Sequence, residues 1–154
     1  MKKYLLLILG ILWMGFIFAQ SLLPGQISSG QSTGIVELIN PILVSINIHI
    51  SPNNLSLIIR KLAHFTEFFI LGVIWFFIYK QWFNKITHFI VVLAHGLLTA
   101  ITDESIQYFV EGRAAQVTDV LIDFFGVIFF YMIVAIRIMI INKRNPKVTC
   151  INKT

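Results

Sequence analysis

Charge is what this sequence has least of. Of its 154 residues only 12% are charged, against 57% hydrophobic, where a soluble domain carries about a quarter charged residues. With mean hydropathy at +0.84, that scarcity excludes an ordinary soluble domain and points to a polytopic membrane protein. Cysteine is almost absent too. The single Cys150 cannot close an internal disulfide and says nothing about redox compartment. The chain also lacks a GxSxG elbow, a Walker loop, an HExxH pair and a CxxC pair, so no common hydrolase, nucleotide or zinc signature applies. Bases outnumber acids twelve to seven. They are scattered singly or in pairs, without the basic stripe or aromatic interleaving of a nucleic-acid groove, so no nucleic acid is expected as a partner.

What the chain does have is apolar length. Four runs predict an all-α fold: a bundle of four transmembrane helices with an interfacial segment after the first, one domain over 1–154. The first run, 4–20, follows Met1-Lys2-Lys3. It reads as an uncleaved helix, because it is long for a signal core and Ile17 stands where a cleavage site after Ala19 wants a small residue. Residues 21–34, SLLPGQISSGQSTG, read as a loop by their turn chemistry. Residues 35–50 are interrupted by Glu37, Asn40, Pro41, Ser45, Asn47 and His49. Too short to span, they suit a helix lying on the bilayer surface or an ordered loop. Ser51-Pro52 is a helix start, with a capping hydroxyl and proline at the first position. The crossing part of that helix is 60–79, followed by spans at 86–102 and 120–141 and a basic cytoplasmic tail, 142–154.

Orientation follows from where the bases fall. Lys2, Lys3, Lys80, Lys85, Arg137, Lys143, Arg144, Lys147 and Lys153 lie at one end of such a bundle, nine of the twelve. Arg60, Lys61 and Arg113 lie at the other, with all seven acids. The positive-inside rule then expects a multi-pass protein of the cell membrane, with both termini cytoplasmic and the acidic end facing outward.

The acids concentrate in 102–126, TDESIQYFVEGRAAQVTDVLIDFFG. Ionisable groups inside apolar spans are costly, roughly 2.5–3.5 kcal/mol each at a helix centre on insertion scales, and mark polar networks or sites. At helical spacing Arg60, His64 and Glu67 share an arc of roughly 60°. His95, Thr99 and Asp103 form an i, i+4, i+8 row, which Glu104 and Gln107 extend if the helix continues. Gln116, Asp119, Asp123 and Gly126 share a face of the last helix. These stripes are expected to face one another, with His64, Glu104 and Asp119 sharing one cavity. Taken singly, each pair reads as a structural tie between helices, His95 as a packing residue and His88 as interfacial. Their convergence at one depth is what argues for chemistry. Guanidinium groups at headgroup level suit phosphate, and a histidine beside carboxylates suits a general base or nucleophile. Clustered carboxylates also admit a divalent cation, although no fixed ligand spacing such as that of an EF-hand is present.

RKLAHFTEFFILG over 60–72 and DESIQYFVEGRAAQVTDVLIDFFG over 103–126, with PGQISSGQS at 24–32, resemble the signature blocks of the VanZ-like family of small membrane proteins. The likeness covers roughly 15–135. Its pattern falls on Lys61, His64 and Glu67, on Asp103, Glu104 and Gln107, on Gly112 and Arg113, and on Asp119, Asp123 and Gly126. Two positions depart: Glu111 stands where many relatives carry proline, and Asp123 where many carry asparagine. The resemblance implies a link to resistance against the glycopeptide teicoplanin, and a membrane-embedded enzyme acting on lipid headgroups or lipid-linked cell-wall intermediates. The catalytic candidates are His64, Glu67, Glu104, Asp119 and Asp123. The candidates for holding substrate are Arg60, Lys61, Asp103, Gln107 and Arg113. A non-catalytic protein that alters glycopeptide or cell-wall precursor binding is the alternative.

Overall fold

The computed structural model of the chain describes residues 2–144. Among them are five helices and no strand: α1 Lys2–Ser21, α2 Gly25–Ser45, α3 Pro52–Tyr79, α4 Lys85–Tyr108 and α5 Val117–Arg144. Four of these, all but α2, are long and apolar enough to cross a membrane. The basic tail expected from 142 lies, from residue 145 with Cys150, outside the described residues.

The start of α3 follows the sequence: the Ser51 hydroxyl accepts from the Asn54 amide at 3.4 Å, with Pro52 at the first helical position, which lacks an amide hydrogen and loses nothing there. Asn84 caps α4 in the same way, accepting from the Thr87 amide at 3.0 Å. Helix α4 does not stop at 102 but continues to Tyr108, so Asp103, Glu104 and Gln107 ride on its last turns.

Residues 21–34 are not a loop. Only 22–24 leave the helical conformation, and α2 takes the rest. Turn formers tolerate a helix here because their hydroxyls fold back onto it: Ser32 donates to the Ser29 carbonyl at 2.9 Å and Thr33 to that same carbonyl at 2.9 Å. The helix also runs through Pro41, whose missing amide costs one bond to the carbonyl of Glu37. It ends at Ser45, and in the turn that follows Asn47 takes a left-handed φ of 59° while the Ile48 amide returns to the Leu43 carbonyl at 2.9 Å. Asparagine tolerates that conformation better than other residues with a side chain. Helix α2 then pairs antiparallel with the first turns of α3, through a Ser32–Ser56 hydroxyl contact of 2.7 Å.

Helices α3 and α5 form the spine. Their parallel crossing is closest at Gly126, where an added Cβ would lie 2.5 Å from the Phe65 carbonyl oxygen and 3.0 Å from the Phe69 amide nitrogen. Around it the rings of Phe65, Phe69, Phe125, Phe129 and Phe130 interlock at 5.6–6.5 Å between centroids. The core runs through Ile17, Phe68, Leu71, Trp75, Val92, Ala100 and Val127. Outward, Leu12, Leu62, Ile86, Leu98 and Leu121 are exposed, a continuous apolar coat that suits lipid and would be unsustainable in water. His95 takes the packing role expected of it, with Nδ1 2.8 Å from the Tyr79 hydroxyl and its ring on Trp75. His88, expected at the interface, is buried one turn into α4, Nε2 3.0 Å from the Phe76 carbonyl.

Because the atoms facing Gly126 are backbone and cannot swing aside, Gly126→Ala is expected to cost about 1–3 kcal/mol by overpacking. Gly30→Ala, with nothing within 4 Å of the added carbon, is expected to be neutral or to stabilise α2 by up to about 1 kcal/mol. Thermal unfolding of the two variants in detergent measures the difference.

Candidate functional site

Three spans meet at one buried point. His64 comes from α3, Asp103 from α4 and Asp123 from α5, and both aspartates are fully buried at 0% exposure. Each group lies on the polar row of its helix: His64 one turn below Arg60, and Asp123 one turn from Asp119 on the face that carries Gly126 against α3. His64 Nδ1 lies 3.7 Å from Asp123 Oδ1 and 3.9 Å from Asp103 Oδ2. Asp103 is braced from two sides. The Ser21 hydroxyl donates to Oδ1 at 2.5 Å, and the Gln107 amide donates to Oδ2 at 2.8 Å. Ser21 also accepts from Gln107 at 3.3 Å, closing a small network between the end of α1 and the end of α4.

Beside this centre lies a polar cavity of about 130 Å³, lined by residues that include Gln20, Ser28, Gln31, Arg60, His64, Glu67 and Arg113. By the same measure one water needs roughly 10–15 Å³, so the space suits a small polar group with its hydration. Helix α2 forms one wall. Its start is pinned to the α4–α5 loop, where the Gly25 amide donates to the Glu111 carbonyl at 3.0 Å. Any side chain at residue 25 would overlap the Gly112 carbonyl, and Gly112 itself takes a left-handed φ of 73°. The loop and α2 therefore fit only through two glycines.

Arg113 does not pair with a carboxylate at ion-pair distance. Its Nε donates to the Leu23 carbonyl at 3.0 Å and its Nη2 to the Gln20 carbonyl at 2.9 Å, just past and at the C-terminal end of α1, where a cation is favoured. Three N–H donors of the fork remain for the cavity. Burial, and after it the neighbouring Arg60, pull its pKa below the ordinary guanidinium range, against the acids Asp103, Glu104 and Glu67. Arg60 has no hydrogen bond or ion pair among the described residues. Two cations thus share one cavity, and an anion between them would relieve their repulsion.

The remaining candidates go elsewhere. Lys61 and Asp119 pair with each other at 2.5 Å, at 41% and 19% side-chain exposure, on the flank of α3 and α5. Glu104 accepts from the Gln116 amide at 2.5 Å and lines a separate recess with Tyr108, Phe109 and Val117; its second oxygen is buried without a partner. The cavity holding His64 is therefore not shared with Glu104 or Asp119. What sequence reasoning missed is the share of α1 and α2: Gln20, Ser21, Ser28, Gln31 and Ser32. A signal was present, since Ser28, Gln31, Ser32 and Ile35 follow the i, i+3, i+4, i+7 spacing of a helix face, and the four line one cavity.

Fold and site together define a multi-pass helical membrane protein with a polar, acid-rich site at one end of its bundle. A family model described as VanZ/LLP1 matches residues 6–140, and the chain belongs to this VanZ-like family. No curated protein and no solved structure matches the chain.

The two kinds of polar tie should differ in weight. Ser21→Ala strips a buried carboxylate of a donor and is expected to cost about 1–3 kcal/mol. Lys61→Ala breaks a half-exposed pair and is expected to cost less than about 1 kcal/mol. Thermal unfolding in detergent, run on both variants, checks the order.

Proposed function

We propose that this VanZ-like protein acts at the outer leaflet of the cell membrane on the phosphate of a lipid headgroup or lipid-linked cell-wall intermediate, cleaving or exchanging its phosphoester. The observation that carries the reading is Arg60, a cation with no partner among the described residues, facing the same cavity as Arg113, His64 and Glu67. A phosphate there would meet two guanidinium forks, which bind it in bidentate fashion. His64 has Nδ1 buried against the aspartates, which leaves Nε2 as the nitrogen to take a proton from an attacking hydroxyl, or to attack phosphorus itself. Glu67 orients the incoming group from the next turn of α3. Asp103, held by Ser21 and Gln107, and Asp123 face the histidine Nδ1 and favour positive charge on the ring. Lys61, Asp119 and Glu104 act at one remove, by holding α3, α5 and the α4–α5 loop in place. A link to teicoplanin resistance follows if the substrate is a precursor that the glycopeptide recognises.

The outward placement rests on charge. Among the described residues Lys2, Lys3, Lys80, Lys85, Arg137, Lys143 and Arg144 lie at the end of the helices opposite the cavity, which the positive-inside rule assigns to the cytoplasm. A reporter fused after Tyr79 is expected to read cytoplasmic and one fused after Gly112 external; the reverse readings would move the cavity to the inner leaflet.

For the chemistry, headgroup and lipid-linked intermediate profiles are compared in cells carrying the parent, His64→Ala or Arg60→Ala at matched protein level. The parent is expected to shift the profile, and each variant to lose most of that shift. Arg113→Lys is also expected to lose most of it, because lysine lacks the planar fork. An unchanged profile in the parent, with teicoplanin susceptibility still altered, would instead favour a non-catalytic protein that changes how the glycopeptide meets its target.

A further inference from the structure

We infer that His64, Asp103 and Asp123 form a binding site for one divalent transition-metal ion, of the manganese, iron or zinc type, at the junction of α3, α4 and α5. Each of the three offers one ligand atom, and these atoms all lie within 4.8 Å of one another. The separations discriminate between explanations. At 3.7 and 3.9 Å from the aspartate oxygens, His64 Nδ1 is too far for a hydrogen bond, which needs about 2.7–3.2 Å. A bridging water at its tetrahedral angle, with two bonds of about 2.8 Å, would hold its partners roughly 4.5 Å apart, longer than either separation. Ligand atoms on one metal, each about 2.0–2.2 Å from it, lie about 3–4 Å from each other.

The state of the ligand atoms points the same way. His64 Nδ1, Asp123 Oδ1 and Asp123 Oδ2 are buried and have no hydrogen-bond partner, although Asp123 is fully enclosed. Buried polar atoms are normally satisfied, and an orphaned carboxylate in an apolar bundle calls for a specific reason. A divalent cation supplies one, since two carboxylates cancel its charge and leave a neutral centre among the helices. Asp103 is already oriented by Ser21 at 2.5 Å and Gln107 at 2.8 Å, the outer-shell bracing typical of metal-ligating carboxylates. Imidazole nitrogen with two carboxylates suits manganese, iron or zinc better than calcium or magnesium, which prefer all-oxygen shells. The site borders the cavity through His64, and a metal on Nδ1 leaves the ring proton on Nε2, so in the metal-loaded protein His64 would donate to a phosphate in the cavity instead of serving as its base.

The test is metal binding by the purified full chain in detergent, stripped with chelator and titrated with Mn²⁺. Bound metal is counted by elemental mass spectrometry, and the bound ion is read by electron paramagnetic resonance. One Mn²⁺ per chain is expected, with pulsed spectra showing coupling to a histidine nitrogen that shifts when the histidines carry ¹⁵N. Asp123→Asn and His64→Gln are each expected to weaken binding at least about tenfold, whereas Glu37→Gln, which removes an exposed acid outside the site, keeps the parental stoichiometry. Mn²⁺ should also raise the unfolding temperature of the parent and not that of Asp123→Asn. Substoichiometric metal at saturation, no histidine coupling in the parent, or parental affinity in Asp123→Asn would overturn the site and leave protons shared among the three side chains. The histidine coupling is read on the parent, so the outcome does not depend on how well the variants fold.

Discussion

A carboxylate inside an apolar bundle must be met by something, and the rest of this structure follows from how Asp103 and Asp123 are met. In water a surface acid needs no arrangement. Among lipid-facing helices its burial is costly enough that neighbouring elements have to be placed around it. Asp103 is met by a hydroxyl from α1 and an amide from its own helix. Asp123 faces His64 from α3. One pair of acids therefore draws on all four spanning helices.

That requirement propagates outward through contacts that tolerate little change. For Asp123 to reach His64, α5 must lie close against α3, and Gly126 one turn further on allows the backbones to approach. For Ser21 to reach Asp103, α1 must end at the right height. Arg113 secures that end by donating to the carbonyls of Gln20 and Leu23. The same arginine leaves part of its fork at the cavity, so a residue that holds the bundle together also faces the space where an anion would sit. Helix α2 completes the wall by docking its first residue on the Glu111 carbonyl. Fixing the walls before a ligand arrives is what allows a small polar site to be selective, because less ordering remains to be done on binding.

The spans, the Ser51-Pro52 start and the polar faces of α3, α4 and α5 were legible because each rests on local rules: apolar length, capping chemistry and helical period. The same rules, that stripes unable to face lipid must face each other, paired His64 with Glu104 and Asp119, whereas the structure brings it to Asp103 and Asp123, one residue and one turn away. Of helix α2 only the second half was expected, as a surface helix over 35–50, and its first half was read as a loop despite the helical spacing of Ser28, Gln31, Ser32 and Ile35. Its Ser, Gly and Gln content reads as a turn until the serine hydroxyls are seen bonding back to the helix and Gly25 and Ser32 are seen buried. Nor could the division of partners be read. Lys61 and Arg60 are neighbours in sequence, yet the 100° between them sends one to Asp119 on the flank and the other to the cavity. Glu104 is likewise turned by one residue from Asp103 towards the Gln116 amide. Those outcomes depend on helix rotation and loop path, which no local pattern encodes.

The central claim is that an anionic phosphate enters the cavity between Arg60 and Arg113. Solid-state magnetic resonance on the protein in phospholipid bilayers, with ¹⁵N in the arginine guanidinium groups, measures the dipolar contact between that nitrogen and lipid phosphorus. Close contact is expected in the parent, with the share belonging to the cavity lost in a folded Arg60→Gln variant. Identical contact in parent and variant would contradict the claim, leaving Arg60 a solvated cation and the cavity without a phosphate.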